Sequence, residues 1–176
     1  HDNGSILPRN PVAAELCAAM KKVATDDVPQ ELENGITGQK KCGDKDFMLD
    51  VILWFIKFRE ADRYESEYNI SDSDEDFTMI KLLNLCSDSL KNDSEFLVTI
   101  LLSYGSCIVL SIASKELTES KEFFLEIFQK DKYNSIEGEI LKYASNALKD
   151  DTEIVKKAVV NNPHNLQHAS EDQRNN

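Results

Sequence analysis

The sequence predicts an all-α fold of helical-hairpin repeats, stacked as a short α-solenoid or a compact bundle. Three observations carry this expectation. One pattern is written three times, anchored on Ser87, Ser114 and Ser145. Leu90, Leu117 or Leu148 stands three positions on, Asp93, Ser120 or Asp151 six on, and Glu95, Glu122 or Glu153 eight on. Each copy then continues into two apolar pairs: Phe96-Leu97 with Ile100-Leu101, Phe123-Phe124 with Ile127-Phe128, and Ile154-Val155 with Ala158-Val159. Pairs at that spacing form one buried stripe about three turns long on a helix. No stretch alternates in polarity for long enough to argue for a strand.

The Asp or Ser at the sixth position reads as an N-cap, because its side-chain oxygen can accept an otherwise orphan amide of the first turn. The acid two residues later sits where the helix dipole favours negative charge. A break follows at Gly105, at Asp131 to Gly138, or at Asn162-Pro163, and a second, shorter helix is expected to lead back to the next serine. Each copy is therefore a helix pair of 25 to 31 residues. Such a pair cannot bury its stripe alone, so copies must stack. The copies are expected at about 81–113, 114–144 and 145–169 of a single domain over 12–176.

Upstream, residues 1–11, with Gly4, Pro8 and Pro11, read as a flexible lead-in. Leu16, Ala19, Met20 and Val23 give Val12 to Val23 helical spacing, and Pro29, Gly35 and Gly38 then break the chain. Asp44 caps a helix from Lys45 to about Ala61. Its Phe47-Met48 and Val51-Ile52 repeat the paired pattern, which places Gly38 in the serine slot of a degenerate copy. An acidic insertion runs over about 60–76, its first turns continuing the helix, and Phe77 to Cys86 resumes helical spacing. At the other end, Ser170 opens a further copy with Gln173 in the leucine slot and Asn176 in the cap slot. That opening reads either as a polar capping end or as a fragment of a longer repeat protein.

The chain has 176 residues, 41% apolar and 30% charged, which is ordinary globular usage. A formal charge of -12 repels phosphate backbones and anionic headgroups, so nucleic acid and membrane surfaces are rejected as partners. A protein partner with a basic surface is expected instead; the sequence leaves the oligomeric state open. The apolar run around Ile108 to Ala113 is far short of a membrane span. Cys17, Cys42, Cys86 and Cys107 form no CxxC pair, and Cys86 and Cys107 stand in apolar runs, as buried thiols of a reducing, cytoplasmic setting would.

The pattern Ala-Ser-x-x-Leu-Lys-x-Asp-x-Glu-x-Val-x-x-Ala-Val, clearest over Ala144 to Val159, resembles a helical-repeat family classed only as a domain of unknown function. That family occurs in multi-copy proteins of protists and intracellular bacteria, including secreted effectors of the Legionella kind. The resemblance covers about Lys81 to Asn176 and, weakly, Asp44 to Trp54. It implies a helical scaffold and an effector context, with delivery into a host cytosol. It carries over no catalytic residue.

Candidate chemistry is sparse. His164 and His168 are four apart, a spacing that could bring two imidazoles to one metal, but no third ligand completes the set and His168 aligns with the core-facing Leu85, Ile112 and Tyr143. Asp72-Ser-Asp74-Glu75-Asp76 opens like a calcium loop, yet Phe77 stands where the loop glycine belongs and Leu83 where its glutamate belongs. No serine or cysteine has a histidine partner suited to nucleophilic catalysis, and Cys42 beside Lys41 reads as a loop thiol. No enzyme activity, metal or cofactor is expected. Two partner-binding elements remain. Asp72, Asp74, Glu75 and Asp76 would steer a basic partner electrostatically, and Ser71 and Ser73, each with an acid three residues on, fit acidophilic kinases. The helix around Trp54 is apolar on most sides, which makes it either the centre of the core or a docking face anchored by Trp54 and Phe58. The sequence therefore describes a non-catalytic protein–protein interaction module. Its competitor is the accessory lobe of a larger enzyme whose catalytic part lies elsewhere.

Overall fold

Four side chains that the sequence assigns to N-caps accept the amide three residues on: Asp44 from Phe47 at 3.1 Å, Asp93 from Phe96 at 2.9 Å, Ser120 from Phe123 at 3.2 Å and Asp151 from Ile154 at 3.1 Å. These caps start four helices of ten residues or more in an all-α fold. The computed structural model describes residues 41–65, 79–132 and 135–175, together with residues 11, 13, 14 and 34. The chain divides into two compact units, His1–Leu90 and Lys91–Asn176.

In the first unit a 3-10 turn, Lys41–Gly43, leads into α1 (Lys45–Glu65), which runs beyond Ala61 into the first residues of the acidic insertion. The paired pattern is buried as expected: Phe47, Met48, Val51 and Ile52 are all fully inaccessible. Trp54, Phe55 and Ile56 are buried too, so α1 is covered on more than one stripe. Residues 79–84 are helical and bury Met79, Leu82 and Leu83. Pro11, Ala13 and Ala14 are helical; the rest of the helix expected over Val12 to Val23 lies outside the described residues. A short helix, α2 (Asp88–Lys91), spans the boundary of the two units.

The second unit contains α3 (Ser94–Tyr104), α4 (Lys115–Glu119), α5 (Lys121–Lys130), α6 (Asn146–Lys149), α7 (Thr152–Asn161) and α8 (Glu171–Arg174). Helix α5 packs against both α3 and α7. The core follows the apolar pairs closely: Phe96, Leu97, Ile100 and Leu101 from α3, Phe123, Phe124 and Ile127 from α5, and Ile154, Val155 and Ala158 from α7. Phe128 and Val159, the last residues of their pairs, are only half-buried.

The shorter member of each expected helix pair differs from the expectation. It is a 3-10 helix (Cys107–Ile112, Ile140–Tyr143 and Pro163–His168), followed by a separate α-turn begun by the anchor serine. Ser114, Ser145 and Ser170 each cap that turn, accepting the amides of Leu117, Leu148 and Gln173. The reason lies in the serine amide, which points away from the preceding helix. It donates instead to a carbonyl four positions after the preceding anchor: Ser114 to Lys91 at 2.9 Å, Ser145 to Thr118 at 3.0 Å and Ser170 to Lys149 at 2.8 Å. In the first unit Ser87 donates in the same way to Cys42 at 2.8 Å, and Cys42 stands four positions after Gly38, the residue in the degenerate serine slot. A continuous α-helix would use this amide internally. Each 3-10 helix closes instead at an alanine, with bonds from Ala113 to Leu110, Ala144 to Leu141 and Ala169 to Leu166.

Among the described residues two glycines carry positive φ. Gly105 (φ 77°) ends α3, and Gly138 (φ 102°) lies so close to Cys107 that a Cβ there would stand 2.5 Å from Sγ. Between them an isolated bridge pairs Ser106 with Glu137, and no strand occurs among the described residues. No helix among the described residues is long and apolar enough to cross a membrane.

Candidate functional site

The acidic residues Asp72, Asp74, Glu75 and Asp76, with Ser71 and Ser73, lie outside the described residues. Trp54 is 3% exposed and belongs to the buried side of α1; Phe58 is helical, and its side chain lies outside the described residues. Cys86 and Cys107 are buried, and Cys42 is half-buried, with its carbonyl bonded to Ser87.

His164 and His168 do not converge. Both lie on the 3-10 helix Pro163–His168, where residues three apart, not four, share a face. His164 is exposed, while His168 is half-buried rather than core-facing: its Nε2 lies 2.6 Å from Glu139, which also accepts from Gln167 at 2.6 Å. The hydrogen bond from His168 is the main reason the Glu139 carboxyl is held below its usual range. Among the described residues no group of three or more His, Cys, Asp and Glu is placed to hold a metal ion.

Much of the polar chemistry of the second unit is spent inside it. Asp131 is buried just after α5. Burial pushes its carboxyl up, but the amides of Ser135 and Ile136, the Ser135 hydroxyl and the Asn161 side chain all donate to it and hold it below the usual aspartate value. Lys121 reaches Asp151 at 2.8 Å and Glu153 at 3.0 Å, which raises the ammonium and, above all other causes, lowers Asp151. Glu126 is lowered chiefly by Lys130, and then by the Ser94 hydroxyl at 2.6 Å. Through Ser94–Glu126, Lys121–Asp151 and Asp131–Asn161 these groups tie the helices to one another.

One surface is different. Where α5 meets α7, Phe128 from α5 and Lys156, Lys157, Val160 and Asn161 from α7 line a depression of about 270 Å³. Lys156 and Val160 are one turn apart, as are Lys157 and Asn161, so two adjacent rows of α7 form one wall. Val160 is 79% exposed, the most exposed large apolar side chain of the described residues. Lys156 and Lys157 are exposed, and among the described residues neither forms an ion pair. Glu153, the acid that helical spacing would offer them, is held by Lys121. Asn161 donates to Asp131 at 3.2 Å, so that wall is fixed from behind.

The sequence pattern did not single this surface out. Its signal was a departure from the copies: at the eleventh and twelfth positions after the anchor serine, Val98-Thr99 and Leu125-Glu126 give way to Lys156-Lys157. Residues 120–174 match the family described as Domain of unknown function (DUF4116), a segment that contains every residue of the depression and less than half of the chain. No curated protein and no solved structure matches the chain.

Proposed function

We propose that this chain is a non-catalytic protein–protein interaction module made of stacked helical repeats and working in a cytosol, in the manner of a delivered effector. The depression on α5 and α7 carries this reading. An apolar side chain as exposed as Val160 stands beside half-buried Phe128 and two lysines that form no ion pair among the described residues, a combination that suits contact with a partner. The repeat reading is supported by the amide–carbonyl bond that recurs at Ser87, Ser114, Ser145 and Ser170, always to the same position of the preceding copy. Stacked repeats present long, shallow faces suited to polypeptide partners. The acidic stretch Asp72 to Asp76 supplies a second contact, steering a basic surface toward the chain.

The test is affinity capture on the full chain, followed by reconstitution with the purified, identified partner. Two variants run in parallel: Val160→Asp, and Asp72, Asp74, Glu75 and Asp76 changed to Asn or Gln. The reading expects a stoichiometric complex by calorimetry that one of the variants weakens. A partner lost with the acid variant places its contact on Asp72 to Asp76. If no captured protein reconstitutes, the interaction reading fails.

A further inference from the structure

We propose that the depression lined by Phe128, Lys156, Lys157, Val160 and Asn161 takes an acidic peptide segment of a partner protein, with one bulky apolar side chain between its carboxylates. This rests on the interaction reading above and names the occupant of its site. At about 270 Å³ the depression is smaller than the roughly 300–1,000 Å³ of small-molecule clefts, and suits a side chain or two of a docked polypeptide. Phe128 and Val160 supply apolar contact from two different helices. Lys156 and Lys157 stand on the same wall, each one turn before Val160 or Asn161, so both cations lie beside the apolar contact.

The charge around the depression decides the sign of the occupant. Glu153 is tied to Lys121, and the Asp131 carboxylate behind Asn161 is buried with its oxygens engaged by Ser135, Ile136 and Asn161. Glu153, the acid one turn before the two lysines, is thus already partnered, and among the described residues Lys156 and Lys157 form no ion pair, so on a chain of formal charge -12 they leave this wall locally cationic. A basic segment would meet two lysines that no acid among the described residues pairs; an acidic one completes them. Lysine, with its long stem and compact charge, suits contact with mobile carboxylates.

The experiment is calorimetric titration of the full chain with four acetylated, amidated peptides. They are Glu-Asp-Phe-Asp-Glu, its Gln-Asn-Phe-Asn-Gln counterpart, Glu-Asp-Ser-Asp-Glu and Lys-Arg-Phe-Arg-Lys. The first should bind one to one and tightest. Lys156→Gln with Lys157→Gln should weaken it about fivefold, as should loss of the peptide's charges. Val160→Asp should weaken it further, and added salt should weaken it in the wild type more than in the double variant. All three residues are exposed, so circular dichroism should be unchanged. Equal affinity for the acidic and neutral peptides, or an unaffected double variant, overturns the proposal. Tighter binding of the basic peptide overturns it too, yet leaves the interaction reading standing. Self-association in sedimentation that Val160→Asp abolishes would assign the surface to a second molecule of this chain and overturn the proposal as well.

Discussion

The Asn165 side chain accepts the Leu141 amide at 2.9 Å and donates to the Ala158 and Asn162 carbonyls at 3.1 Å each. Asn165 is fully buried, and it ties the 3-10 helix Ile140–Tyr143 to its counterpart Pro163–His168 and to the end of α7. Asn165→Ala strands the buried Leu141 amide, while the Ala158 and Asn162 carbonyls keep the backbone amides of Asn162 and Asn165. An unsatisfied buried donor costs about 1–3 kcal/mol, and a loss in that range is expected. Urea unfolding should show it as a lower midpoint with an unchanged slope. A loss below about 0.5 kcal/mol would mean that water or rearrangement replaces the carboxamide.

Gly138 faces a different constraint. Its φ of 102° disfavours any side chain, and an added Cβ would stand 2.5 Å from Cys107 Sγ. Gly138→Ala should cost about 2–4 kcal/mol, from backbone strain and overpacking together. Cys107→Ala removes the sulfur, leaving Cys107 Cβ at an ordinary 3.8 Å. In a double-mutant cycle the glycine substitution should therefore cost less in the Cys107→Ala background, by about 1 kcal/mol or more. Additive losses would show that strain alone sets the cost.

The cap positions make a sharper comparison, because they differ in chemistry at equivalent sites. Asp93 and Asp151 cap α3 and α7, whereas Ser120 caps α5, and each is followed two residues later by a glutamate. Ser120→Ala should destabilise by about 1 kcal/mol, and Ser120→Asp should stay within about 0.5 kcal/mol of wild type. Thermal melts of the two variants against wild type measure both. Equal losses would show that the hydroxyl is not acting as a cap.

These caps were legible in the sequence because capping is local: an Asp or Ser oxygen and the amide that donates to it lie three residues apart, just before an apolar pair. The buried pairs were legible for the same reason. The 3-10 helices were not. Cys107, Val109, Leu110 and Ile112 show apolar spacing that suits either helix type in so short a run, and the choice is made by the serine amide's bond to a residue more than twenty positions away, as in Ser114 to Lys91. His168 was misjudged as core-facing for a similar reason: Glu139, its partner, is 29 positions upstream. The depression escaped the periodic reading because Phe128 and Val160 come from different helices, and a stripe argument made helix by helix does not say which stripe ends stay open. Asp131 opens the break that the sequence places over Asp131 to Gly138, a position that says nothing of its burial. It is buried because backbone amides that follow it turn inward to solvate its charge.

That buried charge sets a pH dependence. The folded Asp131 carboxyl sits below its ordinary value of 3.8, so its ionised form is bound more tightly by the native state than by the unfolded chain. The stabilisation is complete above about pH 3.8 and drains away as pH falls through the folded value. Asp131→Asn keeps the shape and removes the charge; it should cost about 1–3 kcal/mol near neutrality. Asp44, Glu126, Glu139 and Asp151 are also lowered, so wild type and variant share their acid sensitivity. The difference between the two proteins isolates Asp131. In chemical denaturation at a series of pH values, the gap should hold steady down to about pH 4 and narrow below it. A gap that stays constant into acid would assign the cost of the substitution to hydrogen-bond geometry and leave the Asp131 charge with no part in stability.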